Sequence, residues 1–143
     1  MALERGQRDR PPRSGPRTQD MDEREKQDLE AVLRGDYEKI DSRAEIIARS
    51  ISGLAPSQVR NFYGPIVKAR SESDPKRSRD ALLMHRPRLA YLVARADGKA
   101  DELWKWFEQL LRRASDAAQI RSVCDFAEAI VAYHKRESKG GRD

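Results

Sequence analysis

The sequence has a single cysteine, Cys124, and two histidines, His85 and His134. One thiol excludes a disulfide within the chain and suits a reducing compartment, so a cytoplasmic setting is expected. A zinc site needs several Cys, His or carboxylate ligands at a legible spacing, and neither a CxxC pair nor an HExxH helix occurs. No glycine-rich loop followed by lysine is present to cradle phosphates. Neither histidine stands in a recognisable triad motif. No apolar run is long enough to cross a membrane, and Met1 to Asp20 lacks the apolar stretch of a secretory signal. There is no strand-like alternation and no internal repeat. These absences leave no catalytic residue, metal ligand or cofactor site to nominate, and they rank binding above catalysis. A ribonuclease working through His85 or His134 is the enzymatic reading that stays open.

What the sequence has is charge. Charged residues make up 37% and hydrophobic residues 38%, so a modest core must carry a heavily charged surface. Lysine and arginine outnumber aspartate and glutamate by 29 to 24, giving a net charge of +5, a balance that favours anionic partners or simply keeps the protein soluble.

Residues 1–21 read as a disordered Arg/Pro-rich tail. Arg5, Arg8, Arg10, Arg13 and Arg17 stand among Pro11, Pro12 and Pro16, with almost nothing apolar to bury. This is either a loose basic arm for RNA phosphates or an inert linker. Residues 22–137 read as one helical-bundle domain, and 138–143 as a flexible end after Gly140 and Gly141.

Within the domain the apolar residues recur with helical period. A first helix over about 22–34 offers Leu29, Val32 and Leu33, with Gly35 to end it. Asp36 caps a second, about 37–52, whose inner side is Ile40, Ala44, Ile47, Ala48 and Ile51. Ser57 is expected to cap a third, about 58–70, with Val59, Phe62, Tyr63, Ile66 and Val67 inward and Pro65 bending or shortening it. A fourth helix is expected over about 78–96, bent at Pro87, before a turn at Asp97-Gly98. A fifth, about 100–114, carries Leu103, Trp104, Trp106, Phe107, Leu110 and Leu111. Asp116 with Gln119 has the form of a capping box for the last, about 117–137. That helix turns Ile120, Val123, Cys124, Ala127, Ile130, Val131 and His134 inward. The fold class is therefore all-α, a compact bundle of about five to six helices.

Cys124 falls in an apolar row and reads as a small buried hydrophobe, and His134 reads as a hydrogen-bonded core histidine. His85, between Met84 and Arg86, reads as exposed or as touching RNA. The candidate binding residues lie on outer faces. On the third helix Arg60 falls at the flank, with Asn61 and Lys68 outside. On the fourth, Met84, Arg88, Tyr91 and Arg95 follow one another at i, i+4, i+7 and i+11. Arginine forks suit phosphate, and a tyrosine between them suits a base or a ribose. Equally, Tyr91 and Met84 suit packing against another element, with the arginines merely solvated. Lys135 and Arg136, near the end of the last helix, also suit its dipole.

Three segments carry a resemblance. They are Ser57-Gln58-Val59-Arg60-Asn61-Phe62-Tyr63, then Arg86-Pro87-Arg88-Leu89-Ala90-Tyr91-Leu92-Val93-Ala94-Arg95, then Phe126-Ala127-Glu128-Ala129-Ile130-Val131-Ala132-Tyr133-His134-Lys135. In this order and spacing the chain resembles the small subunit of type III-A CRISPR effector (Csm) complexes, over about residues 40–136. The resemblance implies a helical bundle without catalytic activity. Neighbouring copies would stack beside the backbone subunits that hold the guide RNA, facing the target RNA paired with it. Contacts would run to sugar and phosphate, with the large subunit as a further partner and guide–target complementarity as the thing monitored. By position, Arg60, Asn61, Arg88 and Arg95 match the family's polar motif positions, with Lys68, Arg86 and Lys135 beside them. The family commonly has lysine where this chain has Arg88. Without the resemblance, two other readings stand: a DNA-binding helical regulator using residues 57–68 as its recognition helix, or a structural adaptor that touches no nucleic acid.

Overall fold

The computed structural model describes residues 21–142, with side chains through Ser138. Six helices follow in order: α1 Glu23–Leu33, α2 Tyr37–Ser50, α3 Pro56–Ser71, α4 Pro75–Arg95, α5 Asp101–Arg113 and α6 Ala117–Arg142. There is no strand among the described residues. The basic tail expected over 1–21 lies outside them, except for Met21. That residue is buried in the core against Gln109.

Local chemistry sets the helix ends. Asp22 and Glu25 close a reciprocal box at the start of α1, and Asp36 accepts from the Lys39 N–H at the start of α2. Gly35 follows α1 at φ +81°, where a side chain would be strained and would press on Ser122. Asp97 and Gly98 turn the chain between α4 and α5, both at positive φ.

Several expectations need correction. Ser57 does not cap α3. Pro56 is already helical, as its fixed φ favours, and the Gln58 side chain accepts from the Ala55 N–H at 2.9 Å. Pro65 does not shorten α3, and α4 begins at Pro75 with Asp74 as its cap, three residues before the expected start. Val67 is not inward but 41% exposed, because it lies about 100° round the helix from Ile66, beyond the reach of the packed rows. The last helix runs to Arg142, past the expected end at 137; a glycine costs a helix only about 1 kcal/mol relative to alanine, so Gly140 and Gly141 do not stop it. At its start the Asp116 side chain accepts from the Gln119 N–H as expected. Gln119 reaches back to Ser115, not to Asp116.

The core gathers around α5. Trp106, Phe107, Leu103, Leu110 and Leu111 are all fully buried. Phe107 meets Phe62 of α3 edge-on at 4.9 Å and stacks on Phe126 of α6 at 5.6 Å between ring centroids, geometries that aromatic quadrupoles favour. Cys124 and His134 lie in this interior, as their rows require. His134 Nε2 is 3.2 Å from the Leu54 carbonyl. Burial pushes the Cys124 thiol up to about 11, which keeps it protonated.

Ion pairs tie the periphery. Asp28 is buried and receives Arg43 at 2.7 Å, with Lys39 at 3.6 Å, and Arg43 also lies over the Trp106 ring. Lys105 bridges Glu25 of α1 and Glu102. Arg70 of α3 binds Asp125 and Glu128 of α6, and Tyr133 and Arg136 of α6 bind Asp41 and Glu45 of α2.

Candidate nucleic-acid interface

α3 and α4 run antiparallel as a hairpin. Two side chains lock its register: Ser78 donates to the Ala69 carbonyl, and His85 Nε2 lies 2.7 Å from the Phe62 carbonyl. His85 is thus buried, not exposed. It shares the i, i+3, i+7 row of Leu82 and Leu89, a position more telling than its arginine neighbours. Burial, helped by the nearby Arg88 charge, lowers its pKa, so the ring is neutral at pH 7.

With that register set, the N-terminal half of α3 and the C-terminal half of α4 form a groove of about 340 Å³ lined by Gln58, Asn61, Arg88, Tyr91, Leu92 and Arg95. Four sequence candidates from two helices therefore share one surface. Tyr91 is 65% exposed and Met84 55%, so no described element packs over them. Arg95 lies 5.6 Å from the Tyr91 ring centroid and donates to its hydroxyl at 3.2 Å. This holds the aromatic face and the cation together at the groove edge. Sequence reasoning missed Gln58 and Leu92. The signal was present: Gln58 lies one turn before Asn61, and Leu92 one turn after Arg88.

The other candidates stand elsewhere. Arg60 and Lys68 are exposed on the outer face of α3, and Lys135 is exposed near the end of α6. Arg86 turns towards α5, where its guanidinium meets the Glu108 carbonyl at 3.0 Å and the Glu108 carboxylate at 3.2 Å. It serves the fold.

The distribution of ion pairs separates these groups. The α6 carboxylates Asp125 and Glu128 are taken up by Arg70, and Glu108 by Arg86 and Arg112. Among the described residues, Arg60, Lys68, Arg88, Arg95 and Lys135 have no carboxylate partner, whereas Arg43, Arg70 and Arg86 are each paired. Unneutralised arginines beside an exposed tyrosine and an exposed amide can hold phosphate, stack on a base or sugar, and hydrogen-bond ribose. No group of histidine, cysteine and carboxylate side chains among the described residues is placed to hold a metal ion.

Residues 34–140, about three quarters of the chain, match the family model described as Csm2 Type III-A. No curated protein and no solved structure matches. The family match takes in all three segments singled out in the sequence, and the whole α3–α4 groove.

Proposed function

The chain belongs to the Csm2 Type III-A family and is a small subunit of a type III-A CRISPR complex, and on that premise we propose that it holds target RNA along the α3–α4 groove. Target strand paired with guide RNA runs past Arg88 and Arg95, which contact phosphate, while Tyr91 and Asn61 meet sugar. The observation that carries this reading is the convergence of Asn61, Arg88, Tyr91 and Arg95 on one groove whose cations lack carboxylate partners among the described residues. Sequence is then read by base pairing between the RNA strands, and the subunit senses whether the paired backbone has the right shape. In this reading the protein performs no chemical step. It works in antiviral defence in the cytoplasm, beside the backbone subunits, the large subunit and further copies of itself. Arg60, Lys68 and Lys135 extend the basic surface beyond the groove.

The test is a complex assembled with guide RNA around wild type or Arg88→Glu/Arg95→Glu. Assembly is expected to survive. Affinity for complementary target RNA is expected to fall, and its dependence on salt to flatten by about two charges. Unchanged affinity at every salt concentration removes the groove as an RNA face and favours an adaptor without nucleic-acid contact.

A further inference from the structure

α3 contains a glycine that its own packing does not require, followed by a proline. Gly64 is exposed in the interior of the helix, its φ is not positive, and a Cβ added there would meet nothing within 4 Å. Neither backbone conformation nor close approach within the protein calls for glycine, and glycine weakens a helix relative to alanine. Relief of crowding before Pro65 is not a sufficient reason either. Arg86 precedes Pro87 within α4, carries its Cβ and stays helical.

Pro65 has a chemical consequence for Asn61. A proline has no N–H, so the Asn61 carbonyl, four residues back, lacks its helical donor. The Asn61 side-chain amide has no partner among the described residues, is exposed, and lines the groove. One residue therefore carries both an acceptor without its helical donor and a side-chain donor without a partner among the described residues. Gly64 lies four residues from Arg60 and four from Lys68, the bare midpoint of a row with a cation roughly 6 Å along the axis to each side.

We propose that this stretch of α3 seats one ribose of the bound RNA and there distinguishes RNA from DNA. The proposal rests on the reading of the groove as an RNA interface and adds what that interface recognises. A ribose 2′-hydroxyl both donates and accepts. It donates to the Asn61 carbonyl that Pro65 leaves open and accepts from the Asn61 amide. Gly64 lets the sugar come close to the helix backbone, where any Cβ would hold it away. Arg60 and Lys68 take the phosphates on either side. Deoxyribose fills the same place and leaves the carbonyl without a donor.

The experiment assembles the complex with guide RNA around wild type, Gly64→Ala and Pro65→Ala. Affinity is measured for complementary target RNA and for the same target made with 2′-deoxyribose throughout. Alanine at 65 returns an N–H to the Asn61 carbonyl, and alanine at 64 blocks approach. For Pro65→Ala, RNA affinity is expected to fall about three- to tenfold while deoxyribose affinity stays put; for Gly64→Ala both affinities fall, RNA by the larger factor because it also loses the hydroxyl's bonds, so the preference for RNA narrows in both. The melting temperature of the isolated subunit is expected not to fall, which separates this from unfolding. RNA affinity at the wild-type level in both variants overturns the ribose proposal, even where Arg88→Glu/Arg95→Glu still weakens binding. Equal losses for both targets also overturn it, since the contact is then to phosphate or shape. Variants that fold but no longer assemble overturn it by making the row a protein contact. If Arg88→Glu/Arg95→Glu changes nothing, the groove reading itself has failed and the ribose proposal falls with it.

Discussion

His85 Nε2 lies 2.7 Å from the carbonyl oxygen of Phe62 across the α3–α4 seam, while its Nδ1 is buried without a partner. A carbonyl only accepts, so the proton sits on Nε2 and the ring is neutral. Charging it would place a second proton on Nδ1, where nothing receives it, one turn from Arg88.

This sets a pH dependence. The folded-state pKa of His85 is lowered, chiefly by burial, against about 6.5 in an unfolded chain. The unfolded state therefore binds the extra proton first as pH falls. The contribution is intact above about pH 6.5 and is lost below it. Urea unfolding at pH 7.5 and 5.5 is expected to show wild type losing stability at the lower pH. His85→Gln keeps a donor for Phe62 and is expected to lose less between the two values. Equal losses in both proteins would contradict the assignment.

Asp28 and Arg43 give a second prediction. Their side chains are about one-tenth exposed and meet at 2.7 Å, and Arg43 also covers Trp106. Arg43→Met strips the main partner from a buried carboxylate. The cost is expected to be about 2 kcal/mol, below the ~3–5 kcal/mol of a wholly abandoned buried charge, because Lys39 remains nearby. Chemical denaturation reads this directly. A change under ~0.5 kcal/mol would mean that water replaces the arginine freely.

Arg86 and Arg88 are two residues apart and are expected to behave oppositely. Arg86→Ala loses two bonds to Glu108, costing roughly 1–2 kcal/mol of stability with target affinity unchanged. Arg88→Ala is expected to leave the melting curve in place and weaken target RNA. Thermal melting and filter binding on the same preparations check both, and a reversed pattern would exchange their roles.

Cys124 is expected to be silent towards thiol reagents. It is 1% exposed, its sulfur is 3.8 Å from the Ile66 carbonyl, and its pKa is pushed up to about 11. Only a minute fraction is thiolate at pH 7. Labelling is expected to follow global unfolding, with a rate that tracks denaturant. Fast labelling of the native protein would reveal local opening of α6 against α3.

Helix positions were legible because burial follows a period of 3.6, and every aromatic anchor of α5 was visible in that rhythm. Helix starts were less legible. Ser57 has the right chemistry for a cap, but Pro56 in front of it had already begun the helix. The site was legible by halves: Arg88, Tyr91 and Arg95 form a row on one helix, but their meeting with Asn61 depends on how α3 and α4 are paired. That pairing is fixed by contacts such as Ser78 to Ala69, which no single-helix pattern contains. The pairing of Arg86 was hidden for the same reason, since Glu108 lies 22 residues away along the chain.

Phe62 follows Asn61 in sequence and sits edge-on against Phe107 at the centre of the bundle. The α3–α4 groove and the deepest part of the interior are thus lined by adjacent residues of one helix turn. A genetic screen for lost immunity would on this account return two kinds of mutant in the same subunit. Surface arginine changes would fail at every temperature. Replacements of Phe107 or Phe126 would fail conditionally, growing worse with heat, as the floor of the groove loosens before the protein unfolds.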